Sequence, residues 1–156
     1  MRLENSCLIP TGRSAAWALL MDIPRAAACV PGLEEIATDG ENRYAATLKS
    51  RVGPMGLTFS GTVTVLDSDE SKGEARFQIE ATDRKVGGSI KANMAISLTD
   101  HPSGQVLDQT ELTIVTDTAF MGKLGELGQP LMHRKARNTM EEFARNLAGL
   151  LQNSSS

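Results

Sequence analysis

The sequence predicts an α+β fold in which a curved antiparallel sheet of about seven strands wraps around one long C-terminal helix. Three observations indicate this architecture. Apolar residues follow a helical period near both ends of the chain, they alternate with polar residues from Leu33 to Phe120, and turn-forming residues separate the alternating segments. With 156 residues, the chain is long enough for one domain with a single sizeable core.

One strand and two short helices open the predicted fold. Leu3 to Ile9 alternates as a strand, and a Pro-Thr-Gly sequence ends it. Thr11 is the predicted N-cap of a helix from Ser14 to Met21. Asp22 then begins a second helix, with proline in its first turn, that ends near Val30 because the following Pro-Gly pair cannot continue it.

Six further strands fill the middle of the chain. Predicted turns separate them at Asp39-Gly40, Asp67-Ser68-Asp69, Gly87-Gly88 and Pro102-Ser103-Gly104, and we interpret Gly53 and Gly56 around Pro54 as a bulge or bend. Short turns between consecutive strands predict an antiparallel meander with one covered face and one solvated face. The predicted covered faces are Tyr44, Ala46, Leu48, Ser50 and Val52; Leu57, Phe59, Gly61, Val63 and Val65; Ala75, Phe77, Ile79 and Ala81; Ile90, Ala92, Met94, Ile96 and Leu98; and Leu112, Ile114, Thr116, Thr118 and Phe120.

The last predicted element is an amphipathic helix of roughly seven to eight turns that starts at about Lys123. Its apolar positions run from Leu124 to Leu151, with charged residues on the opposite side. We expect residues 1–151 to form one ligand-binding domain and residues 152–156 to form a disordered polar tail.

Composition and charge exclude several classes of function. The net charge is −3 and few aromatic side chains are available for stacking, so we expect no nucleic-acid partner. No apolar stretch has the length of a signal peptide or of a membrane span, which predicts a cytoplasmic protein with at most peripheral contact at the inner face of the membrane. We interpret Cys7 and Cys29 as small buried apolar side chains, not as a disulfide.

The sequence offers no recognisable catalytic or metal-binding constellation, so we expect neither catalytic residues nor a cofactor. His101 and His133 lack metal ligands at the usual spacing and are interpreted as surface residues. Ser60 lies on the solvated face of a predicted strand and lacks a nucleophile motif around it. The carboxylates Asp108, Glu111 and Asp117 are interpreted as solvated charges.

Methionines and small residues on the covered faces indicate a binding cavity. Met55, Met94, Met121, Met132 and Met140 are placed on inward faces or at the junction of sheet and helix, where an adaptable side chain suits an apolar guest. Gap-filling in an ordinary core is the open alternative. The small inward residues Ala46, Gly61, Ala75, Ala81 and Ala92 would leave space beside them. The predicted ligand-binding residues are Met55, Leu57, Phe59, Phe77, Met94, Phe120, Met121, Leu127, Leu131 and Met132.

Two features near the last helix have competing interpretations. Gly122, Gly125 and Gly128 form either a flexible gate at the cavity mouth or a site of close helix–sheet packing. The basic cluster from His133 to Arg137 either contacts a partner enzyme or anionic lipid headgroups, or is simply a solvated helix face.

Several short motifs in a fixed order resemble the CoxG family of carbon monoxide dehydrogenase subunits. They are Cys29-Val30-Pro31-Gly32, then Val52-Gly53-Pro54-Met55 leading into Phe59-Ser60-Gly61, then Gly87-Gly88, then Leu98 with polar residues after it, and finally Gly122, Gly125 and Gly128. The resemblance covers about residues 1 to 150. The resemblance implies the helix-grip fold of the START-like (SRPBCC) superfamily, whose members enclose apolar ligands between sheet and helix.

The same resemblance implies a function without catalysis. It implies an apolar quinone- or lipid-like ligand and association with a molybdenum hydroxylase such as carbon monoxide dehydrogenase. Many relatives carry a further C-terminal membrane-binding segment; residues 152–156 offer none, so independent anchoring is not expected.

Two other functions stay open at this point. A cyclase- or hydrolase-like enzyme of the same superfamily would act on an aromatic or polyketide-like substrate through Thr116, Thr118, Asn93 and Ser50. A structural assembly factor would have a filled core and no ligand.

Overall fold

The computed structural model describes residues 1–100 and 109–154, and the side chains of residues 1–100 and 109–151. Strand β1 is followed by two short helices, six more strands, a 3₁₀ helix and a long final helix. The elements are β1 (Arg2–Ile9), α1 (Arg13–Met21), α2 (Ile23–Ala27), β2 (Leu33–Thr38), β3 (Arg43–Val52), β4 (Met55–Asp69), β5 (Glu74–Asp83), β6 (Gly88–Asp100), β7 (Thr110–Gly122), a 3₁₀ helix (Lys123–Leu127) and α3 (Gln129–Ser154). The predicted α+β architecture is confirmed.

All seven strands form one antiparallel sheet in the order β1-β7-β6-β5-β4-β3-β2. Strands β2 to β7 pair with their neighbours in sequence, as a meander of hairpins requires. Strand β1 joins the free side of β7, where Arg2 lies opposite Asp117 and Ile9 lies opposite Thr110. The predicted inward positions of β3 to β7 agree with the burial pattern, because alternation of side chains makes every second residue face the helix.

The sheet bends at irregular positions. The registers of β2 with β3 and of β4 with β5 shift between Leu33 and Glu35 and between Val65 and Asp67. Gly61 of β4 lies so close to β5 that a Cβ atom there would be 1.9 Å from the carbonyl oxygen of Glu80. Bulges and glycines of this kind increase local twist and let a sheet curve around a helix.

Two clusters of buried side chains lie between the sheet and its helices. One cluster joins α1, α2 and the C-terminal half of α3 to the sheet, and it includes Trp17, Leu112 and Leu147. The other joins the 3₁₀ helix and the start of α3 to β3 and β4, and it includes Leu57 and Leu124. An amide hydrogen bond of 2.9 Å from Asn146 to the Cys29 carbonyl oxygen ties α3 to the end of the helical pair.

The two short helices differ in detail from the prediction. Gly12, not Thr11, is the N-cap of α1, and no side chain caps that helix. Thr11 is used elsewhere: its N–H donates to Ile9 and its carbonyl oxygen accepts a hydrogen bond from the Thr110 hydroxyl. Helix α2 ends at Ala27, so the predicted end near Val30 was wrong; Cys29 and Val30 continue in turns whose N–H groups bond to Ala26 and Ala27.

Two predicted turns are corrected. Gly53 and Pro54 form a two-residue hairpin turn between the paired residues Val52 and Met55, in place of a bulge, and Gly53 has the positive φ (58°) that the first turn position needs. Asp67 to Asp69 belong to β4, where Asp67 pairs with Arg76, and the turn follows at residues 70–73. The turn predicted at Pro102-Ser103-Gly104 lies outside the described residues.

The final helix begins later and ends later than the sequence predicted. The segment from Lys123 is a separate 3₁₀ helix, because Gly128 adopts a φ of 89° that interrupts the helical path before α3. Helix α3 continues to Ser154, three residues into the segment for which a disordered tail was predicted.

Candidate functional site

Two adjoining chambers lie inside the fold, and we call them the inner and middle chambers. The inner chamber has a volume of about 260 Å³ beneath α2 and the start of β2. Its walls are almost entirely apolar, with Ala46, Gly61 and Ala81 providing space between larger side chains. Glu80 borders it, but the Glu80 carboxylate pairs at 3.7 Å with Lys91 on the outer face of the sheet.

The middle chamber has a volume of about 240 Å³ and lies between the sheet and the first turns of α3. It shares Leu48, Phe59 and Ile90 with the inner chamber, so the two are neighbours across these side chains. Its walls are apolar but carry hydroxyls on both the sheet and the helix. The polar side chains that line it are Ser50, Thr116, Thr118, Lys135 and Thr139.

A groove at the edge of β7, called here the edge groove, extends the space toward solvent. Its volume is about 470 Å³, and it shares Thr118, Phe120 and Met132 with the middle chamber. Gly125 and Gly128 form part of its wall, where the chain passes from the sheet to α3. The polarity of the walls therefore rises from the inner chamber to the edge groove.

The structure places most of the predicted ligand-binding residues near these spaces. Phe59, Phe120 and Met132 line the chambers directly. Met55, Leu57, Leu127 and Leu131 belong to the buried cluster that supports the same walls. Phe77 is buried and Met94 half-buried in the other cluster, beside the chambers and not in their walls.

Met121 was placed wrongly by the sequence. Its side chain is 47% exposed on the outer face of β7. The physical reason is the two-residue period of a strand: Phe120 faces inward, so its neighbour faces outward. Met140, which was predicted to face inward or to lie at the junction of sheet and helix, lines the middle chamber.

Sequence reasoning missed several residues that line the chambers. Leu48 and Ile90 were recognised as inward-facing but not as part of a site, because an ordinary core leucine or isoleucine has the same pattern. Lys135 and Thr139 lie one helical turn apart on α3 and border the middle chamber. Their spacing of four residues, which places both on one face of a helix, was the sequence signal that could have identified them. Of the small residues, Ala75 and Ala92 are buried in the core and do not line either chamber.

The three glycines before α3 have distinct roles. A Cβ atom on Gly122 would lie 2.1 Å from the Gly87 carbonyl oxygen, so this residue provides close packing. Gly128 has a φ of 89°, which favours glycine. Gly125 lies in the 3₁₀ helix, where a Cβ atom would be 3.1 Å from the Phe120 carbonyl oxygen. Close packing therefore explains Gly122, and a gating role is untested.

One buried carboxylate has a structural explanation. Asp83 is 3% exposed, and its two oxygens accept hydrogen bonds from the Val86 N–H at 2.7 Å and the Thr58 N–H at 2.6 Å. These backbone hydrogen bonds hold the pKa of Asp83 below its usual value. The ionised group ties the turn between β5 and β6 to the start of β4.

The other candidate chemical groups are not assembled into a site. Within the described residues, no group of three or more potential metal ligands occurs. His133 is exposed on α3, Glu111 is half-buried and Asp117 is exposed, whereas His101 and Asp108 lie outside the described part of the chain. Cys29 is buried and Cys7 half-buried, both as free thiols, and burial raises the pKa of each. None of the helices within residues 1–100 and 109–154 is long and apolar enough to cross a membrane.

The seven-stranded sheet, the long covering helix and the spaces between them define a protein with the START-like helix-grip fold. Comparison with solved structures agrees. A conserved protein from Geobacillus kaustophilus superposes with a TM-score of 0.87 at 19% identity, covering 99% of this chain and 97% of that one. The Zhui aromatase/cyclase from Streptomyces sp. R1128 has a TM-score of 0.71 at 13% identity, covering 100% and 96%. A START superfamily protein from Mycobacterium smegmatis has a TM-score of 0.71 at 10% identity, covering 97% of each chain.

The particular family follows from sequence comparison. The model of the CoxG family of carbon monoxide dehydrogenase subunits matches residues 6–152. The chain therefore belongs to the CoxG family. No curated protein matches it.

Proposed function

We propose that this protein is a non-enzymatic carrier or accessory protein that holds an apolar, quinone- or lipid-like molecule between its sheet and α3. The observation that carries the proposal is the pair of adjoining apolar chambers, of about 240 and 260 Å³, which the protein's own side chains leave unfilled. Taken together they reach the size range of roughly 300–1,000 Å³ that is usual for small-molecule sites. Mainly apolar walls select an apolar guest through the hydrophobic effect.

The polar groups of the chambers favour binding over catalysis. Ser50, Thr116 and Thr118 offer hydroxyls, which orient a ligand but are weak nucleophiles without an adjacent base. Neither histidine nor carboxylate is among the described residues that line the middle chamber. The second candidate is an aromatase- or cyclase-like enzyme, which the shared fold of the Streptomyces aromatase/cyclase favours. Turnover of an aromatic polyketide-like substrate that disappears in Thr118→Val would support that candidate.

Native mass spectrometry of protein purified without detergent, followed by organic extraction, tests the carrier function. We expect a bound quinone or lipid, or uptake of added decylubiquinone that raises the melting temperature. Ligand at a hundred times its Kd would stabilise the fold by about 2.7 kcal/mol. An empty protein that also takes up no added quinone would contradict the proposal and favour an assembly factor.

A matched pair of variants tests whether the inner chamber is the site. Ala46 lines that chamber, whereas its neighbour Ala45 is exposed on the other face of β3. We expect Ala46→Phe to weaken binding of decylubiquinone strongly and Ala45→Phe to leave it unchanged. Equal affinities for the two variants would place the ligand elsewhere.

The proposed partner is a molybdenum hydroxylase such as carbon monoxide dehydrogenase, and its support is the name of the family to which the chain belongs. Co-purification of the tagged protein with that enzyme, compared with a tagged START-like protein of another family, tests this association. Absence of the enzyme from the eluate under conditions that retain the ligand would contradict it.

We further propose peripheral contact with an anionic membrane at one end of the molecule, which we call the basic end. The turn at Gly53 and Pro54, the turn before Gly88 and the start of α3 meet there: the Lys123 N–H donates to the Gly87 carbonyl oxygen at 3.1 Å, and Leu131 lies 3.3 Å from the position of a Cβ atom on Gly53. Among the described residues, none of its six cations has an ion-pair partner. They are Arg51, Arg84, Lys85, Lys123, Arg134 and Arg137.

Charge and exposed apolar surface together favour a bilayer at this end. Glu126 is the exposed acid within these segments, and Met121 is 47% exposed beside Gly122. Each Lys or Arg near an anionic surface contributes about 1 kcal/mol. We expect Arg84→Gln/Lys85→Gln to weaken co-sedimentation with phosphatidylglycerol-containing vesicles at least about tenfold.

The charge-matched control is Arg25→Gln/Lys72→Gln, because Arg25 lies on α2 and Lys72 lies in the turn after β4, at the end of that strand opposite to the Gly53-Pro54 turn. This control variant should sediment with the anionic vesicles as the unchanged protein does. Vesicles of phosphatidylcholine alone should bind neither the control variant nor the unchanged protein. Equal loss in both double variants would indicate a nonspecific charge effect. If the protein binds no vesicles but binds an acidic protein through the basic end, the partner of this end is that protein and not the membrane.

A further inference from the structure

Among the described residues that line the middle chamber, one has an ionisable side chain, and this residue is Lys135. The phase of α3 places it there, because the residues three before it and four after it, Met132 and Thr139, line the same chamber. The preceding residue, Arg134, is exposed to solvent instead. Lys135 is half-buried and lies on the face of α3 that covers the sheet.

The Lys135 ammonium has no partner within residues 1–100 and 109–151. Neither an ion pair nor a side-chain hydrogen bond joins it to a residue of these ranges. A second cation at the chamber, the N-terminal ammonium of Met1, is already engaged: it donates to the Thr118 carbonyl oxygen at 2.7 Å and lies 4.0 Å from the Asp117 carboxylate. Lys135 therefore borders a mainly apolar space without a counter-charge from the described lining residues.

This arrangement suits a ligand with one negative charge. A partly buried cation attracts an anion more strongly than an exposed one does, because less water screens the two charges. Hydroxyls on both walls, from Ser50 and Thr116 on the sheet and Thr139 on α3, can donate further hydrogen bonds to a carboxylate. One lysine balances the single charge of a carboxylate, whereas a phosphate monoester carries about −1.5 to −2 at neutral pH.

We propose that the middle chamber binds a lipid-like monocarboxylate, with its carboxylate paired with Lys135 and its hydrocarbon chain against the apolar walls. This inference rests on the proposed carrier function and narrows the ligand from any apolar molecule to an acid of the fatty-acid type. The apolar walls, the hydroxyls and the lysine all belong to one chamber of about 240 Å³, so the ligand needs no passage into another space.

Binding of two probes with the same chain tests the selection of the head. Decanoate carries a carboxylate, whereas 1-decanol carries an uncharged hydroxyl. We expect the unchanged protein to bind decanoate about tenfold more tightly than decanol. Lys135→Met should lose this preference and keep its affinity for decanol, because it removes the charge but retains an apolar stem. The matched control is Arg134→Met, which removes the neighbouring exposed cation and should keep the preference.

Cross-linking with a water-soluble carbodiimide locates the carboxylate without any variant. The reagent joins a carboxylate to an amine in contact with it as an amide. We expect mass spectrometry of the digested protein to find decanoyl amide on Lys135 well above the level on Lys123, which is exposed. Decanoyl amide on exposed lysines with none on Lys135 would overturn the inference.

The outcomes separate this inference from the carrier function itself. If decanoate, decanol and decylubiquinone all fail to bind, the carrier function fails. If decanoate and decanol bind equally and Lys135→Met changes neither affinity, the carrier function stands and the Lys135 ammonium extends into solvent without contacting the ligand. Tighter binding of decylubiquinone or of decyl phosphate than of decanoate would overturn the monocarboxylate as the class of ligand.

Discussion

Asp83 illustrates how a single carboxylate can organise this fold. It is buried, yet it remains ionised because the Val86 and Thr58 N–H groups donate hydrogen bonds to it and hold its pKa below the usual value. The unfolded-state pKa of an aspartate is about 3.9. Because the folded-state pKa is lower, the resulting stability is fully present above the unfolded value and is lost as the pH falls through the folded value.

We therefore expect Asp83→Asn to lower the melting temperature at neutral pH and to reduce the loss of stability on acidification below about pH 4. The asparagine side chain keeps one oxygen that can accept a hydrogen bond, but its NH₂ group would face the second backbone N–H group and could not accept from it. Thermal unfolding monitored from about pH 7 to about pH 3, a range that spans the ordinary pKa of an aspartate, measures both effects. Asp22→Asn, an exposed carboxylate without a cap hydrogen bond, is the control. Identical pH profiles for Asp83→Asn and the unchanged protein would contradict this role.

Gly61 is required by the close approach of two strands. A Cβ atom there would lie 1.9 Å from the Glu80 carbonyl oxygen and 2.6 Å from the Ala81 Cα atom. Gly56, five residues earlier on the same strand, has open space around its Cβ position. We expect Gly61→Ala to destabilise the fold by roughly 1–3 kcal/mol, as overpacking does, and Gly56→Ala to change stability by less than about 0.5 kcal/mol. Urea denaturation of the pair measures the difference, and equal midpoints would show that β5 moves aside freely.

The 3₁₀ helix fastens the end of β7 before α3 crosses the sheet. Leu124 is fully buried against Gly88, where a Cβ atom would be 2.7 Å from the Leu124 side chain. Gly128 then redirects the chain into α3. This short element therefore determines where the long helix begins and which of its faces meets the chambers.

We expect Leu124→Ala to cost about 2–5 kcal/mol in the free energy of unfolding, because it removes a fully buried side chain and leaves a cavity. Leu66→Ala, at a residue that is 47% exposed, should cost much less. Guanidinium denaturation compares the two variants. A small effect at Leu124 would indicate that the 3₁₀ helix is not anchored by this contact.

At the scale of the whole molecule, the same sheet face is a packed core in one part and a container in another. Ala75 is 1% exposed and belongs to the packed cluster, whereas Ala46 borders the inner chamber. Filling the chamber should stabilise the ligand-free protein, since added methyl groups gain contacts without strain. A larger side chain in the packed core should instead destabilise the protein, because no space is free there.

We therefore expect Ala46→Leu to raise the stability of the ligand-free protein by about 0.5–2 kcal/mol and Ala75→Leu to lower it by about 1–3 kcal/mol. Thermal and chemical denaturation of extracted, ligand-free protein measures both changes. Destabilisation of similar size by both variants would mean that the inner chamber is closed in solution and that its walls form ordinary core.

Much of the architecture followed from local patterns. Alternation predicted which side of β3 to β7 faces α3, and the helical period predicted the covering helix, because both periods are properties of the backbone. Thr11 and Asp67 were misassigned because their side chains suit a cap or a turn, whereas a contact with Thr110 and a pair with Arg76 decided their surroundings. Both partners lie on other strands, so no local pattern could identify them.

The sequence by itself determined the strand faces, the order of elements and the resemblance to the CoxG family. Only the tertiary structure decided where those faces enclose space: Phe77 and Met94 pack into core, whereas Leu48 and Ile90 line chambers. The physical reason is that a residue's period along its strand specifies its face, but the gap above that face depends on distant elements. The curvature of the sheet, the glycine contacts and the path of α3 together set that gap.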